Sequence, residues 1–224
     1  MRVAIIAEKG SAHGADYVRT MQEAGHDVVL LELQRSPRAW ARYAWRHLRA
    51  GSSIPKALSR RRERIAAPDI DVERRAIRKI GQAVQWLYQA DVGLAPDVGY
   101  IPPFLLTRPR HGFLNAHPGW LPEYRGNNPI EWAVLRGEVT AITVHEMTGK
   151  VDAGPYYWRD IVPRTEGASL DEHRAHRGRV GRHALAAVIG RLPAEAKEQE
   201  EWEALYWPPL PNSLLPLVKA RWNS

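Results

Sequence analysis

Residues 2–33 read RVAIIAEKGSAHGADYVRTMQEAGHDVVLLEL, and this stretch decides the fold class. Residues 2–7 are almost wholly apolar, which predicts a buried strand. Residues 11–24 follow as a predicted helix, which begins at a serine suited to capping and stops before Gly25. A second apolar run at 27–33 predicts another strand. A strand, a helix and a strand in so short a stretch are typical of a parallel α/β sheet.

The composition excludes several classes of protein. The chain has 224 residues, 44% of them hydrophobic and 25% charged, so it is long enough to bury a core. It contains no cysteine, which excludes a disulfide scaffold, a cysteine-ligated metal site and a thiol nucleophile. No run of about 18 apolar residues is present, and the N-terminus becomes polar at Glu8 and Lys9, too early for a secretory signal. We therefore expect a soluble cytoplasmic protein with no membrane-spanning segment.

The excess of positive charge is confined to residues 35–79. That segment holds 14 Lys or Arg residues and four acidic ones, whereas the rest of the chain has 18 basic and 21 acidic residues. Such a segment could attract nucleic acid, an anionic membrane surface or a phosphorylated small molecule. It could equally form a solvated helix face, and the sequence leaves these alternatives open.

The remaining pattern continues the alternation of strands and helices. It predicts helices at 36–50, 71–89, 128–136 and 170–190, and strands that start near Asp91 and cover 112–115, 140–146 and 155–162. Residues 191–224 contain several tryptophans and prolines and are predicted to form a C-terminal extension packed on a domain of residues 1–190. The predicted fold is an α/β domain with a mostly parallel sheet flanked by helices and a short C-terminal extension.

The residues with the clearest chemical potential are Asn115, His117 and Asp152. Asn115 and His117 lie two positions apart at the predicted end of a strand, so their side chains share one face. An amide donor can stabilise an oxyanion while a neighbouring imidazole handles a proton, and an aspartate could orient that imidazole. The trio suits acyl transfer to an amine that attacks directly, without a Ser or Cys nucleophile. Judged by spacing alone, a hydrogen-bonded turn is the commoner explanation of an Asn-X-His pair.

The segment 112–155 resembles the folate-dependent formyltransferase family. The family pattern is Asn-x-His-x-Ser-x-Leu-Pro-x-Tyr/Trp-Arg-Gly, followed by a strand of Thr-Gly-Val-Thr-x-His type and an Asp-x-Gly loop. The matching residues are Asn115, His117, Leu121, Pro122, Tyr124, Arg125, Gly126, Thr140, Thr143, His145, Asp152 and Gly154. Two positions depart from the pattern, because Gly119 replaces the usual serine and Ala141 the usual glycine. Neither change removes a catalytic group, although Gly119 could reshape the turn beside the site.

The resemblance implies a Rossmann-like domain that moves a formyl group from 10-formyltetrahydrofolate to an amine, without a metal. It implies that Asn115 polarises the formyl oxygen and stabilises the tetrahedral intermediate. It implies that His117 stabilises the oxyanion and assists proton movement, and that Asp152 keeps the histidine suitably charged and helps proton transfer. The implied folate contacts, largely through the backbone, are Tyr100, Ile101, Pro102, Met147 and Val151.

The resemblance also bears on the amine that accepts the formyl group. Methionyl-tRNA formyltransferases add a barrel domain for which this chain has no room. Glycinamide ribonucleotide formyltransferases open with a Gly-rich phosphate loop that residues 9–14 match poorly. The stretch 124–133 is most similar to members that formylate nucleotide-linked amino sugars, and glycinamide ribonucleotide or another small amine is the alternative acceptor. The substrate-binding residues then expected are Tyr124, Arg125, Gly126, Asn127 and Asn128.

Three further signals have more than one explanation. The aromatic and proline residues at 206–211 could stack on a nucleotide base, anchor the tail, or contribute to a homodimer contact. Arginines at 60–64 with aromatic residues at 40–45 suggest a rival from another class, an RNA-binding module on a formyltransferase-like scaffold, which the intact trio disfavours. The helix at 170–190 carries three histidines and four arginines, which favours a solvated basic face over a metal site.

Overall fold

The computed structural model describes residues 1–34 and 70–223. The chain divides into two compact units, residues 1–113 and residues 114–224. The helix predicted at 36–50 lies outside the described residues, as does the basic stretch at 51–70 except for its last residue.

The first unit is a parallel sheet with a helix between its first two strands. Its elements are β1 (Arg2–Glu8), α1 (Ala12–Glu23), β2 (Asp27–Leu33), β3 (Glu73–Ile77), α2 (Val84–Leu87), β4 (Val92–Leu94) and α3 (Pro103–Leu106). The strands lie in the order β3-β2-β1-β4, and every pairing is parallel. Ser11 caps α1, because its hydroxyl accepts the N–H of Gly14 at 2.9 Å. The predicted strand–helix–strand opening and the α/β fold class are confirmed.

The predicted helix over 71–89 is wrong in its first half. Glu73–Ile77 forms the edge strand β3, and a 3-10 turn at Ile80–Ala83 precedes the short helix α2. Closely spaced charges give this segment a helical appearance in the sequence. In the folded chain Arg74 donates to Glu32 of the neighbouring strand β2 at 3.3 Å, and Glu73 pairs with Arg2 at 3.2 Å. Pairing along the sheet edge therefore outweighs the local preference for a helix.

The second unit carries an antiparallel sheet with a long helix across it. Its elements are β5 (Leu114–His117), β6 (Arg125–Gly126), α4 (Pro129–Arg136), β7 (Ala141–Glu146), β8 (Tyr156–Ile161), α5 (Leu170–Ile189), β9 (Tyr206–Trp207) and α6 (Leu215–Asn223). β7 lies between β5 and β8 and is antiparallel to both. α5 packs closely on β5 and β7. Gly181 allows this close approach because it has no β-carbon; one there would lie only 3.3 Å from that of Ala116. The elements predicted between 128 and 190 are confirmed.

The last helix of the described chain is anchored on α4. A buried cluster joins α4, the start of α5 and α6, and its members are Ile130, Val134, Leu170, Val218 and Trp222. The indole N–H of Trp222 also donates to the carbonyl of Ala168 at 2.7 Å. A boundary between residues 1–190 and 191–224 stays a prediction. Within residues 1–34 and 70–223, no helix is both long and apolar enough to span a bilayer.

His173 is a buried histidine near the start of α5 that the fold holds neutral. Its Nε2 lies 2.8 Å from the hydroxyl of Thr140, which itself donates to the carbonyl of Val162 at 2.8 Å. The hydroxyl can only accept from the ring, so the ring hydrogen sits on Nε2. Nδ1 is buried and has no hydrogen-bond partner among the described residues. Burial, together with the charge of Arg177, lowers the pKa of His173 to about 4.

We expect the free energy of unfolding to decrease as the pH falls from 6.5 towards 4, because the unfolded chain binds a proton that folded His173 does not accept. In a His173→Gln variant the slope of the free energy of unfolding against pH should become smaller by up to about 1 kcal/mol per pH unit. Urea unfolding at several pH values measures it. His183→Gln, at an exposed histidine of the same helix, is the control and should keep the slope. An unchanged slope in His173→Gln would contradict the neutral, buried state.

Candidate active site

The candidate site is assembled where β5 and β7 run side by side. In their antiparallel register Asn115 pairs with His145, and His117 pairs with Thr143. Residues two apart on a strand share a face, and so do residues directly opposite on neighbouring strands. The register therefore brings His145 to the side of the sheet that carries Asn115 and His117. His117 and His145 are 3% and 1% exposed, so their ring chemistry takes place away from bulk water.

The ring of His117 is held at both nitrogens. Nε2 lies 2.7 Å from the backbone carbonyl of Tyr124, which can only accept, so Nε2 carries a hydrogen. Nδ1 lies 3.5 Å from Oδ2 of Asp152. The imidazole and the carboxylate are therefore neighbours that are suited to passing a proton.

His145 has the complementary arrangement. Its Nδ1 lies 2.8 Å from the carbonyl of Glu146, so the hydrogen sits on Nδ1. Burial, with a smaller contribution from His117, lowers the pKa of His145 to about 4. The lone pair on Nε2 faces the amide nitrogen of Asn115 at 3.4 Å. Since only the nitrogen end of that amide can donate, His145 fixes which end of Asn115 faces it.

Asp152 reaches both histidines from the tight loop between β7 and β8. Its backbone is left-handed, with φ of 50°, a conformation that aspartate adopts more readily than most residues. Oδ2 accepts the N–H of Gly126 at 2.9 Å, and Oδ1 lies 3.7 Å from Nε2 of His145. Glycine is needed two residues later, because a β-carbon at Gly154 would lie 2.1 Å from the carbonyl oxygen of Glu146. The loop thus folds back tightly and presents the carboxylate to the imidazoles.

The three ionisable side chains also resemble a metal donor set. One ring nitrogen of His117, one of His145 and a carboxylate oxygen of Asp152 all lie within 4.8 Å of one another. Zinc bonds of about 2.1 Å in a tetrahedron would hold ligand atoms about 3.4 Å apart. The distances from the Asp152 carboxylate to the two rings are 3.5 and 3.7 Å. The set spreads to 4.8 Å, so the donors would have to move closer to hold a divalent ion, and the expected lack of a metal stays a prediction.

Two of the residues expected to bind substrate, Tyr124 and Arg125, are buried. The hydroxyl of Tyr124 bonds to Glu138, and its ring stacks on Trp207 with centroids 5.8 Å apart. Burial, with the Glu138 carboxylate beside it, raises the pKa of the Tyr124 hydroxyl. The guanidinium of Arg125 bonds to side chains of the C-terminal segment. Through these contacts Tyr124 and Arg125 attach the backbone beside the site to the C-terminal segment.

The other three expected substrate contacts are more accessible. Gly126 donates its N–H to Asp152, and Asn127 donates its N–H to the carbonyl of Trp207 at 3.0 Å. Asn128 stands at the start of α4 in the left-handed conformation, with φ of 53°. The side chains of Asn127 and Asn128 are exposed. A substrate contact through these residues stays a prediction.

The residues expected to contact folate fall into both units. Met147 and Val151 lie in the loop that ends at Asp152, and Val151 is 57% exposed. Tyr100, Ile101 and Pro102 belong to the first unit, where Tyr100 is exposed and Ile101 is buried. Their contact with folate stays a prediction.

Residues 1–189, most of the chain, match the family described as formyl transferase. The chain belongs to the formyl transferase family. The matched range includes Asn115, His117, His145 and Asp152. The four side chains that meet beside β5 and β7 therefore lie within the part of the chain that matches the family.

Relatives in the formyl transferase family differ in how much of their length this chain covers. A methionyl-tRNA formyltransferase from Thermus thermophilus is 39% identical over 114 residues, which span 49% of this chain and 36% of that protein. The formyltransferase PseJ from Anoxybacillus kamchatkensis was solved with UDP-4,6-dideoxy-4-formamido-L-AltNAc and tetrahydrofolate. Its structure matches this chain with a TM-score of 0.57 and 12% identity, and the match covers 97% of this chain and 90% of PseJ. Glycinamide ribonucleotide transformylase 1 from Symbiobacterium toebii has a TM-score of 0.56 and 19% identity over 89% and 94%. These structures confirm the Rossmann-like formyltransferase fold.

Two residues near the site receive no role from the sequence alone. His145 matches the family pattern, but its place beside Asn115 follows from the strand register. Alternation along β7, taken together with the pairing of β5, is the signal that locates it. Gln199, which bonds to the backbone of Asp152, carries no comparable signal because it is 47 residues away in the chain.

Gly119, where the family has serine, is confined by its neighbours in this chain. A β-carbon there would lie 2.9 Å from the β-carbons of Tyr124 and Pro129 and 3.0 Å from Nε2 of His117. The carbonyl of Gly119 accepts the hydroxyl of Thr143 at 2.7 Å, so the turn cannot move away freely. A side chain at this position would push on the ring that bonds to the Tyr124 carbonyl.

We expect Gly119→Ala to lower the free energy of unfolding by about 1–3 kcal/mol, because the added methyl overpacks the turn. Gly149→Ala is the matched control, since a β-carbon at Gly149 meets nothing within 4 Å. Denaturant unfolding of both variants gives the comparison. Equal stability of the two variants would mean that the turn adapts without cost.

Proposed function

We propose that the protein transfers a formyl group from 10-formyltetrahydrofolate to the primary amine of a nucleotide-linked amino sugar. The observation that carries the proposal is the meeting of Asn115 and His117, on one face of a sheet, with the carboxylate of Asp152 from the adjoining loop. Membership of the formyl transferase family supports the formyl group as the unit transferred.

Asn115 is suited to stabilising the negative charge that forms when an amine adds to the formyl carbon. An amide nitrogen carries two hydrogens, so one can bond to His145 while the other bonds to the oxyanion. Because the pKa of His145 is lowered to about 4 by burial, the ring stays an acceptor at neutral pH and keeps the amide oriented. The donor is thus set in place before the charge develops, which is the condition for electrostatic stabilisation of a transition state.

His117 and Asp152 are suited to moving the proton that the reaction must relocate. The attacking amine loses a proton when the new C–N bond forms, and the folate nitrogen gains one when its C–N bond breaks. Nδ1 of His117 and Oδ2 of Asp152, 3.5 Å apart, are the pair that can hold and pass it. A protonated His117 also adds positive charge beside the oxyanion.

The loop that ends at Asp152 supports folate as the formyl donor. Val151 is an exposed apolar residue next to the catalytic carboxylate, and Met147 begins the same loop. Apolar surface of this kind suits the ring system of a folate. The Anoxybacillus kamchatkensis formyltransferase, whose fold this chain shares, was solved with tetrahydrofolate.

The C-terminal aromatic residues support a nucleotide-linked acceptor. Trp207 is packed between Tyr124 and Trp132, with centroid distances of 5.8 and 4.9 Å, so it anchors the tail. Tyr206, by contrast, is 61% exposed, and its ring lies against Gly126, the residue that donates to Asp152. An exposed aromatic ring so near the catalytic carboxylate is suited to stacking on a base.

Other acceptors have weaker support. Residues 9–14 match a Gly-rich phosphate loop poorly, and Ser11 serves as the cap of α1, so glycinamide ribonucleotide has less support. Methionyl-tRNA has the sequence relatives in its favour, which include methionyl-tRNA formyltransferases from Thermus thermophilus, 39% identical over 114 residues, and from Deinococcus radiodurans, 38% identical over 106 residues. The rival function as an RNA-binding module depends on basic residues that lie largely outside the described residues. Its test is a steep loss of RNA affinity with rising salt.

We expect Asn115→Ala and His117→Ala each to lower kcat by at least about 100-fold, because each removes transition-state stabilisation or proton transfer. Turnover is measured with 10-formyltetrahydrofolate and the best acceptor, and circular dichroism checks the fold. His183→Ala, at an exposed histidine outside the site, should retain full activity. Near-normal turnover in either site variant would exclude the catalytic assignment.

We expect nucleotide-linked amino sugars to be formylated in preference to glycinamide ribonucleotide and methionyl-tRNA. Tyr206→Ala should raise KM for the sugar nucleotide at least about fivefold, because stacking on a base is lost, whereas Tyr206→Phe should keep KM near its original value. Steady-state kinetics with each acceptor measures both effects. Formylation of methionyl-tRNA alone would replace the sugar by tRNA as the substrate.

A further inference from the structure

Gln199 connects the loop of Asp152 to the arginine beside it. Its Nε2 donates to the carbonyl of Asp152 at 3.0 Å and to that of Gly154 at 2.6 Å. Its Oε1 accepts from Nε and Nη2 of Arg125 at 3.0 and 2.8 Å. Gln199 is 8% exposed and Arg125 7%, so these bonds form out of reach of bulk water. Every hydrogen-bonding atom of the Gln199 amide is therefore in use.

Only one orientation of the Gln199 amide satisfies these neighbours. The guanidinium of Arg125 offers only donors, and the two loop carbonyls offer only acceptors. A reversed amide would set its nitrogen against Arg125 and its oxygen against the carbonyls of Asp152 and Gly154. The side chain thus links a buried cation to the loop backbone in a fixed geometry.

The segment around Gln199 is itself held beside β8. Tyr156 and Lys197 exchange two backbone hydrogen bonds of 2.8 Å, which sets residues 197–199 alongside the start of that strand. Glu201 accepts from both terminal nitrogens of Arg125 at 3.2 Å. The backbone next to Gln199 and the side chain of Arg125 are therefore held by contacts that do not involve residues 147–154.

Asp152 is held from two directions as a result. Gly126, next to Arg125, donates to the carboxylate of Asp152 at 2.9 Å, and Gln199 donates to its backbone carbonyl. A left-handed aspartate costs free energy and persists only where the surrounding structure determines its conformation. The two bonds fix both the backbone and the side chain, which sets the 3.5 Å separation between the carboxylate and His117.

We infer that Gln199 is a positioning residue for the formyl transfer, because it holds the backbone that presents the Asp152 carboxylate to His117. The inference rests on the proposed function for its catalytic consequence. Its structural consequence, the ordering of the loop at 147–154, is independent of any activity. Gln199 does not itself contact His117, Asn115 or the Asp152 carboxylate in the described bonds.

A Gln199→Glu variant tests the contacts with the loop carbonyls separately from the contacts with Arg125. The carboxylate of the variant still accepts hydrogen bonds from Arg125, so the contact with the guanidinium remains. The same carboxylate has no hydrogen to give to the carbonyls of Asp152 and Gly154 and repels them. Since a displacement of about 1 Å in a catalytic group can cost about 100-fold in rate, we expect kcat to fall by about 10- to 100-fold.

Two measurements distinguish positioning from a general loss of folded protein. The solvent deuterium isotope effect on kcat should increase in Gln199→Glu, because transfer of the proton between His117 and Asp152 becomes slower. A smaller fraction of folded enzyme would leave that ratio unchanged. Amide hydrogen exchange should become faster in residues 147–154 and stay the same in the neighbouring strand β7.

Glu200→Gln is the matched control, since it makes the reverse exchange at the adjacent, exposed position and should leave all three quantities unchanged. A normal kcat, isotope effect or loop exchange rate in Gln199→Glu would overturn the inference. If the original protein formylates no amine, the proposed function fails, and the exchange rate of residues 147–154 alone decides whether Gln199 orders the loop. Faster exchange then supports the positioning of Asp152, and unchanged exchange overturns it.

Discussion

The antiparallel register of β5 against β7 is the constraint on which the candidate site depends. It sets Asn115 opposite His145 and His117 opposite Thr143. A slip of one residue would turn Asn115 and His117 to the opposite face of the sheet. The hydroxyl of Thr143 secures the register further, because it donates to the carbonyl of Gly119 and accepts the N–H of Leu121. The turn after His117 and the strand opposite are thereby fixed together.

Backbone carbonyls then decide the chemistry of the two imidazoles. The carbonyl of Tyr124 takes the Nε2 hydrogen of His117, and that of Glu146 takes the Nδ1 hydrogen of His145. Each ring consequently turns its other nitrogen towards Asp152. His117 has its Nδ1 3.5 Å from the carboxylate of Asp152, while burial lowers the pKa of His145 to about 4 and leaves it an acceptor. Two identical side chains acquire different roles because the backbone around them differs.

The sequence predicts those parts of the site that depend on local pattern. The two-residue period of a strand places Asn115 and His117 on one face, and capping and periodicity locate α1, α4 and α5. Contacts between distant segments are not predicted. The strand β3 forms because an edge of the sheet is available to it, although residues 73–77 look helical in isolation. The bonds of Gln199 join segments 74 and 47 residues apart, and no periodic pattern in the sequence marks such pairs.

The C-terminal segment helps to position the residues of the candidate site. Its strand β9 pairs with β6, so that Tyr206 lies beside Arg125 and Trp207 beside Gly126. The N–H of Gly126 faces Asp152, while its backbone is pressed against β9 closely enough that a β-carbon would lie 2.4 Å from the carbonyl oxygen of Trp207. A ligand that stacks on Tyr206 would therefore press on the strand whose Gly126 N–H bonds to the Asp152 carboxylate. Under the proposed function, recognition of the acceptor and placement of that carboxylate would share one short piece of backbone, which would tie substrate choice to catalysis.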